Sequence, residues 1–204
     1  MNVLMDNLPD TVVIAGEAVP INTDYRTGIL VEQSLNDPLL SDDEKLVTLL
    51  RLYYGEDVFQ LFSDMDTVKE ALDRIKWFYQ CGTDEQTEDS GGDPYKEPPF
   101  SYEYDAAYIY AAFVEAYGID LTENRLHWWQ FRALFLGLPE DVQFCKIMGY
   151  RTMEIPPKMP KDRKKFYQKM KRIYKLPESA VQIRLDKELN DILENGGDIS
   201  QLMK

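Results

Sequence analysis

Histidine and cysteine are the scarcest residues in this sequence. The 204 residues include one histidine, His127, and two cysteines, Cys81 and Cys145. The cysteines form no CxxC pair, which argues against a disulfide framework and against a zinc knuckle, and free thiols are typical of a reducing cytoplasm. The HExxH, EF-hand, Walker A, GxGxxG and GxSxG patterns are absent as well. The sequence therefore predicts no catalytic residue, no cofactor and no metal site of the kinds that these motifs build.

Positive charge and long apolar runs are also in short supply. Lysine and arginine number 23 against 36 acidic residues, which gives a net charge of -13. Such a surface repels nucleic acid, and no stretch approaches the roughly 20 apolar residues that a membrane span needs. The opening MNVLMDNLPD lacks a basic region and a long apolar run, so we expect no signal peptide. This composition suits a soluble protein that binds a basic or amphipathic protein partner.

The residues that are present indicate a helical protein that begins with a hairpin. The β-branched segment Thr11 to Ile14, a turn over Ala15 to Glu17 and a returning strand from Ala18 to Asn22 form the hairpin pattern. Pro20 cannot donate to a ladder, so its strand lies at an edge. Helix formers dominate the remainder, and a hydrophobic share of 44% is enough for one core. We predict a mainly α fold, a multi-helix bundle with a small N-terminal β-hairpin.

Capping residues and apolar periodicity indicate where the first helices begin. Asp24 is a candidate N-cap for a helix from Tyr25 to Asn36. Ser41 with Glu44, and Ser63 with Asp66, have the spacing of capping boxes for the next two helices. Their apolar stripes follow helical spacing: Leu46, Leu49, Leu50 and Tyr53 in one, and Val68, Ala71, Leu72, Ile75, Phe78 and Tyr79 in the other. In the second of these helices Glu70 and Arg74 are spaced to pair.

Two more helices of the bundle are indicated after an acidic loop at residues 82–100. Tyr102 to Tyr117 is apolar nearly all round, which favours a place in the middle of the bundle. Thr122 or Asn124 can cap a helix that runs through Leu136, and a short helix from Glu140 to Tyr150 follows. We predict that residues 1–153 form one helical domain, that residues 154–160 form a Pro-rich linker, and that residues 161–204 form a helical pair, first basic and then amphipathic (Glu178 to Glu194).

The lone His127 and the paired acids were weighed as chemical groups. As a catalytic base, His127 lacks a nucleophile and an orienting carboxylate in any recognisable pattern. As a metal ligand, it lacks the cysteines or histidines of a usual zinc site. The pairs Asp42-Asp43 and Asp84-Glu85 could mimic glycosidase carboxylates or a two-metal site, but acids this common form pairs by chance. The favoured interpretation is that His127 packs or hydrogen-bonds at a helix start and that the protein is not an enzyme.

Two groups of residues are candidates for binding a partner. The spacing of Trp128 and Phe131 is that of a core face, whereas Trp129 is expected to reach an edge where a partner could touch it. The second group lies in the basic run KMPKDRKKFYQKMKRIYK, within a stretch (146–175) that holds 11 bases and 2 acids, whereas 83–124 holds 11 acids and 1 base. The candidate partner-binding residues are Trp129, Arg132, Lys161, Lys164, Lys165, Lys169 and Arg172.

The basic run has three interpretations. Bases mixed with Phe166, Tyr167 and Tyr174 occur in helices that bind nucleic acid or membranes. In a second interpretation Phe166, Met170 and Tyr174 dock on the body while the bases face water. In a third, the run pairs with acidic surface, in this molecule or in a neighbour. Opposite charges on one molecule could also support head-to-tail self-association.

The order of segments resembles that of the siphophage Gp-fifteen family. The similarity lies in INTDYR, IKWFY, FSYEYDAAYIYAAFVEAYGIDL, LHWWQFRALFLGLPED and MGYR, and it extends from about Thr11 to Arg151. Its most specific part combines Gly118-Ile119-Asp120-Leu121 with His127-Trp128-Trp129. Proteins of that family are encoded just ahead of the tape-measure gene. The resemblance implies a tail-assembly chaperone that coats the phage tape-measure protein in the bacterial host cytoplasm, and it transfers no catalytic residue.

Two rival functions remain open at this point. A protein of this kind could instead stay in the virion as a structural tail or head-tail component. Less favoured, it could bind nucleic acid through Lys158 to Lys175, against its own net charge.

Overall fold

The part of the chain that the computed structural model describes, residues 4–57, Phe62, 64–83 and 99–177, is mainly helical. It contains a two-stranded antiparallel hairpin followed by seven helices, which confirms the predicted fold class. The elements are β1 (Thr11–Ile14), β2 (Glu17–Pro20), α1 (Tyr25–Asn36), α2 (Asp42–Tyr54), α3 (Met65–Tyr79), α4 (Ala106–Tyr117), α5 (Trp128–Leu136), α6 (Gln143–Thr152) and α7 (Lys161–Tyr174). Residues 178–204 and most of the predicted acidic loop lie outside the described residues.

The hairpin is held to α3 by the predicted Glu70–Arg74 pair. Val12 and Ile14 point inward and are buried, as period-2 alternation requires. The Glu70 carboxylate accepts a hydrogen bond from the backbone N–H of Ala15, and Arg74 donates its Nε–H to the Val13 carbonyl. Glu70 and Arg74 themselves lie 3.6 Å apart. A lone hairpin is marginally stable, and this pair supplies its attachment to the helices.

Helices α1 and α5 begin side by side. The chain entering α1 pairs with the chain entering α5, since Tyr25 N–H donates to the Leu126 carbonyl and Trp128 N–H donates to the Thr23 carbonyl. Gly28 of α1 faces the Trp128 ring, and a Cβ added there would lie 2.2 Å from it. Only glycine permits this approach, so the contact between α1 and α5 depends on it.

The two tryptophans of α5 complete the C-terminus of α3. The Trp128 indole N–H donates to the Tyr79 carbonyl at 2.9 Å, and the Trp129 indole N–H donates to the Phe78 carbonyl at 2.7 Å. The last carbonyls of a helix have no partner in its own ladder of hydrogen bonds, and the Trp128 indole supplies a donor to Tyr79. The Phe78 carbonyl also accepts the Cys81 N–H at 3.0 Å, so the Trp129 indole is its second donor. The predicted core placement of Trp128 is confirmed, because that side chain is fully buried.

Three predicted helix starts are wrong. The N-cap of α3 is Asp64, which accepts from the N–H groups of Asp66 and Thr67, whereas Ser63 was the expected cap and lies outside the described residues. The N-cap of α5 is His127, not Thr122 or Asn124. Those two residues belong instead to a turn around Asp120, whose carboxylate accepts from the Thr122 N–H and whose carbonyl accepts from Asn124.

The third correction concerns α4, which begins at Ala106 and not at Tyr102. Residues 102–105 form turns because the Asp105 carboxylate folds back to accept the N–H of Ser101. Two other starts are confirmed: Asp24 caps α1, and Ser41 with Glu44 forms the capping box of α2. Helix α6 is displaced from its predicted bounds and spans Gln143–Thr152. The predicted division at residues 154–160 stays a prediction.

A buried ion pair joins the second half of the fold. Arg151 of α6 donates to both carboxylate oxygens of Asp105, at 2.6 and 2.8 Å. It also donates to the carbonyls of Pro99 and Tyr174. Both charged side chains are almost inaccessible, with 4% and 1% of their surface exposed. This arginine therefore attaches the N-terminus of α4 and the C-terminus of α7 to α6.

Replacing Arg151 by methionine is expected to lower the free energy of unfolding by about 3–5 kcal/mol, because it leaves the Asp105 carboxylate buried without a counter-ion. Urea denaturation followed by tryptophan fluorescence measures the change. The matched control is Arg51→Met, which removes a half-exposed ion pair with Glu56 at 3.5 Å and is expected to cost less than about 1 kcal/mol. Equal stability of the two variants would contradict this account of the ion pair.

Candidate functional site

His127 is a helix cap, and neither of its ring nitrogens is hydrogen-bonded to a nucleophile or a carboxylate within the described part of the chain. Its Nδ1 accepts the backbone N–H of Trp129 at 3.1 Å, and its Nε2 lies 3.0 Å from the Pro9 carbonyl. Nε2 must carry the proton to donate to a carbonyl, which leaves Nδ1 free to accept. Partial burial lowers the pKa of His127, against weaker opposing effects of the Pro9 hydrogen bond and of Asp10. The interpretation of His127 as a local structural residue is confirmed.

The other chemical candidates do not assemble either. Among the residues that the structure describes, no group of three His, Cys, Asp or Glu side chains is placed to hold a metal. Asp42 and Asp43 lie exposed in the first turn of α2, and Asp84-Glu85 lies outside the described part. Burial raises the pKa of the Cys81 and Cys145 thiols, which disfavours the thiolate form that a nucleophile needs.

Trp129 does not reach an edge, and that expectation is wrong. Only 1% of its surface is exposed. The indole packs against the C-terminal end of α3, where its N–H donates a hydrogen bond to the Phe78 carbonyl. Arg132 is partly buried, with its guanidinium carbon 5.6 Å from the centre of the Trp128 ring. Its Nε is buried and has no hydrogen-bond partner among the described residues. Trp129 cannot touch a partner unless the core opens.

The basic helix α7 is attached along one face and open along the other. Tyr174 stacks on Tyr150 of α6, and its hydroxyl accepts a hydrogen bond from Gln143. In one of the three interpretations Phe166, Met170 and Tyr174 dock on the body. Phe166 remains 48% exposed, while Met170 is half-buried. Lys164 is half-buried, whereas four of the candidate bases are exposed: Lys161, Lys165, Lys169 and Arg172. These bases are placed where a partner can reach them, and the partner stays a prediction.

An unpartnered apolar face lies on α4. One side of this helix, with Ile109, Ala112 and Phe113, is buried against the core. The opposite side is exposed and carries Ala107, Tyr110, Ala111 and Val114, which we call the α4 face. Glu115 is the single charged residue between Ala106 and Tyr117. The prediction that this helix lies in the middle of the bundle is therefore correct for one side only.

A groove of about 440 Å³ adjoins the α4 face. It runs between α4, the start of α1 and the turn at 121–122, and it is lined by Tyr25, Arg26, Ile29, Tyr102, Ala106, Ile109, Tyr110, Leu121, Thr122 and Phe131. The turn is fixed because the Leu121 carbonyl accepts from both the Tyr25 hydroxyl and the Arg26 guanidinium. The groove is thus a preformed, mostly apolar cleft, the usual character of a binding site in proteins.

Acidic residues lie beside Tyr110, which belongs to both the groove and the α4 face, and Arg26 also lines the groove. The Tyr110 hydroxyl donates to the Asp120 carboxylate at 3.2 Å, which raises the pKa of Tyr110. Hydrogen bonds from the Thr122 side chain and backbone lower the pKa of Asp120, so this carboxylate stays ionised at neutral pH. Glu103 and Glu123 are exposed nearby in sequence. An apolar surface with an anionic rim favours an amphipathic partner that carries positive charge.

Periodicity alone could not reveal this site. A helix that is apolar all round has the same sequence pattern whether its second side meets the core or a partner. The available signal was small residues at positions 107 and 111, which let another backbone approach closely.

Comparison with known proteins identifies a family for this chain. The family model described as Bacteriophage Gp15 protein matches residues 4–176 of this chain. Neither the search of curated proteins nor the search of solved structures returned a significant match. No helix in the described ranges has the length and apolar character needed to cross a bilayer.

Replacing His127 by alanine is expected to lower the free energy of unfolding by about 1–2 kcal/mol at mildly alkaline pH, through loss of the helix cap. The difference from the unaltered protein should shrink as the pH falls below about 6.5, the ordinary pKa of histidine. The folded-state pKa is lowered, so the contribution of His127 is complete above the unfolded pKa and is lost as the pH falls through the folded value. Protonated Nδ1 cannot accept the Trp129 N–H.

Chemical denaturation at a series of pH values tests this dependence. His127→Asn is the matched control, because its side-chain oxygen can cap the helix and does not titrate. If the difference in free energy of unfolding between the unaltered protein and His127→Ala does not change with pH, the imidazole does not stabilise the helix in the manner described.

Proposed function

The chain belongs to the Bacteriophage Gp15 protein family, which is not a known enzyme family, and on that premise we propose that it is a non-enzymatic chaperone of tail assembly. Its client would be the phage tape-measure protein, bound in the host cytoplasm before the tail tube forms. A tape-measure chain is long and amphipathic, and bare apolar stripes of that kind aggregate. A protein that covers them needs an apolar contact surface, a charged exterior and no chemistry.

The observation that carries the proposal is the α4 face together with the adjoining groove. Tyr110 belongs to both, so the two form one continuous apolar surface. Helices that lie in such grooves are recognised through residues at i, i+3, i+4 and i+7. The exposed Ala107, Ala111 and Val114 fall at that same spacing, which lets a second helix lie along α4 at close range.

The charge around this surface supports a reversible contact. Asp120 accepts the Tyr110 hydroxyl at this surface, Glu115 follows Val114 on α4, and the net charge of the chain is -13. A client helix with apolar residues on one side and bases on its flanks would be attracted to it, while other acidic chains would be repelled. Because exposed charge pairs are screened by salt, such a contact can be released without hydrolysis of any bond.

The proposal predicts that Ala111→Glu with Val114→Glu abolishes client binding. Two carboxylates on the contact surface would be desolvated without a partner, which costs several kcal/mol, and about 1.4 kcal/mol already weakens binding tenfold. The measurement is co-expression with the tape-measure protein, followed by the fraction of that protein that remains soluble. We expect the tape-measure protein to be soluble with the unaltered chain. With the double variant we expect it to become insoluble, because its affinity for the chain falls tenfold or more.

The matched control is Met65→Glu with Leu136→Glu, which adds the same charge at residues that are 79% and 74% exposed and belong neither to the α4 face nor to the groove. This control is expected to keep the tape-measure protein soluble. If the tape-measure protein is equally soluble without the chain, or if both double variants behave alike, the proposal is wrong.

A structural role in the virion is the main rival, because family membership alone is compatible with it. Mass spectrometry of purified particles separates the two functions. A chaperone is absent from particles or far below the copy number of the tube protein, whereas a tail or head-tail component is present in fixed stoichiometry.

A further inference from the structure

The outward side of α7 carries exposed bases and apolar residues that the described part of the chain covers only in part, since Phe166 also contacts the edge of Tyr150. Lys161, Lys165 and Lys169 recur every four residues along it, and Phe166 and Ile173 run beside them, 48% and 53% exposed. The helix has no fully buried residue, although Tyr167 and Tyr174 attach it to α6 through Tyr150. We call this side the basic strip.

A surface of opposite charge lies where α1 meets α2. Leu35, Leu39 and Leu46 are exposed there, by 44%, 71% and 44%, although Leu46 was expected to lie on the buried stripe of α2. Asp42 and Asp43 lie exposed in the first turn of α2. We call these five residues the acidic corner.

The acidic corner is held rigid by its own hydrogen bonds. The Asp37 carboxylate accepts the Leu39 N–H at 2.8 Å, and Ser41 and Glu44 form the capping box. The carboxylates of Asp42 and Asp43 make no hydrogen bond or ion pair with any other described residue. Their carboxylates are therefore available to cations from outside, while the leucines offer apolar contact beside them.

We propose that the basic strip of one copy docks on the acidic corner of a second copy of this chain. Lys165, Lys169 and Arg172 would meet Asp42 and Asp43, while Phe166 and Ile173 would cover the exposed leucines. Each surface combines apolar residues with charge of one sign, and the signs are opposite, so the two are complementary. Elsewhere the net charge of -13 makes copies repel each other, which favours contacts made through the basic strip.

The geometry of this contact is head-to-tail. The basic strip and the acidic corner are different patches, carried by α7 and by the α1–α2 junction, so one copy can use both at once. Such heterologous contacts produce rings or open chains, not closed dimers. The 14-residue helix is about 21 Å long, so a contact made through it alone buries less surface than a standard stable interface and is expected to be weak. The association strengthens when several copies are aligned on a common target.

Sedimentation velocity on the full chain, over a concentration series at low and high salt, tests the contact. We expect the weight-average mass to rise with concentration past that of a dimer at low salt, and to fall to that of a monomer near 1 M salt, where the Debye length is about 3 Å. Lys165→Glu with Lys169→Glu and Arg172→Glu should remove the rise, and so should Asp42→Lys with Asp43→Lys.

A charge swap gives the decisive comparison. Combining all five substitutions restores the opposite charges in reversed order, so self-association should return. The matched controls are Lys69→Glu with Lys76→Glu and Lys146→Glu, and Glu140→Lys with Asp141→Lys, which make the same net changes at other exposed positions. Melting temperatures verify that each variant is folded.

Two outcomes would overturn the proposal. One is a monomer at every concentration and salt, and the other is loss of association on the basic strip without rescue by the charge swap. The second result would assign the strip to another anionic surface, and a gel shift with DNA would then identify nucleic acid as that surface. The α4 face is unchanged in all these variants, so client solubility in co-expression separates failure of this contact from failure of the proposed function.

Discussion

Both candidate surfaces depend on one buried guanidinium. Arg151 uses four of its five N–H bonds, two on Asp105 ahead of α4 and one each on the carbonyls of Pro99 and Tyr174. Removing two charges from water is costly, and it is offset only when geometry is good and the remaining donors are satisfied. In Arg151 four of the five N–H donors are hydrogen-bonded, so α4, α6 and α7 are held in one arrangement. The α4 face and the basic strip are thus exposed parts of a rigid unit.

Local signals were sufficient for much of the fold. Asp24 before α1 and the Ser41–Glu44 box before α2 act through residues two or three positions away, so sequence spacing identifies them. The amphipathic pattern of α3 and the Glu70–Arg74 pair follow from helical periodicity in the same manner. In each case the stabilising contact lies within one turn of helix, and that distance is what a sequence pattern encodes.

The remaining features depend on contacts between distant segments. His127 caps α5 only because Pro9, 118 positions earlier, fixes the protonated nitrogen. Trp129 is drawn inward by a carbonyl at the end of α3, 51 positions away. The Asp105 carboxylate accepts both the nearby Ser101 N–H and the guanidinium of Arg151, 46 positions away, and α4 begins only after this residue. No spacing rule reports such pairings, so the starts of α4 and α5 and the placement of Trp129 were wrong while the fold class was right. The start of α3 is a different case, because Asp64 caps it through residues two and three positions away.

The exposed side of α4 is best explained by what a rigid binder gains. Tyr110 and Val114 are exposed to water. Burying their apolar surface in the core would stabilise the fold by roughly 25 cal/mol for each Å², and this stabilisation is absent. The surface is preformed by the Leu121 turn and by the ion pair of Arg151, so binding requires little reorganisation of this chain. The ordering cost then falls on the flexible partner, which lowers the affinity of each contact. Weak contacts repeated along an extended client still hold it collectively and separate one by one. A chaperone that must cover a long helix and later leave it needs that combination, whereas a single tight site would impede release.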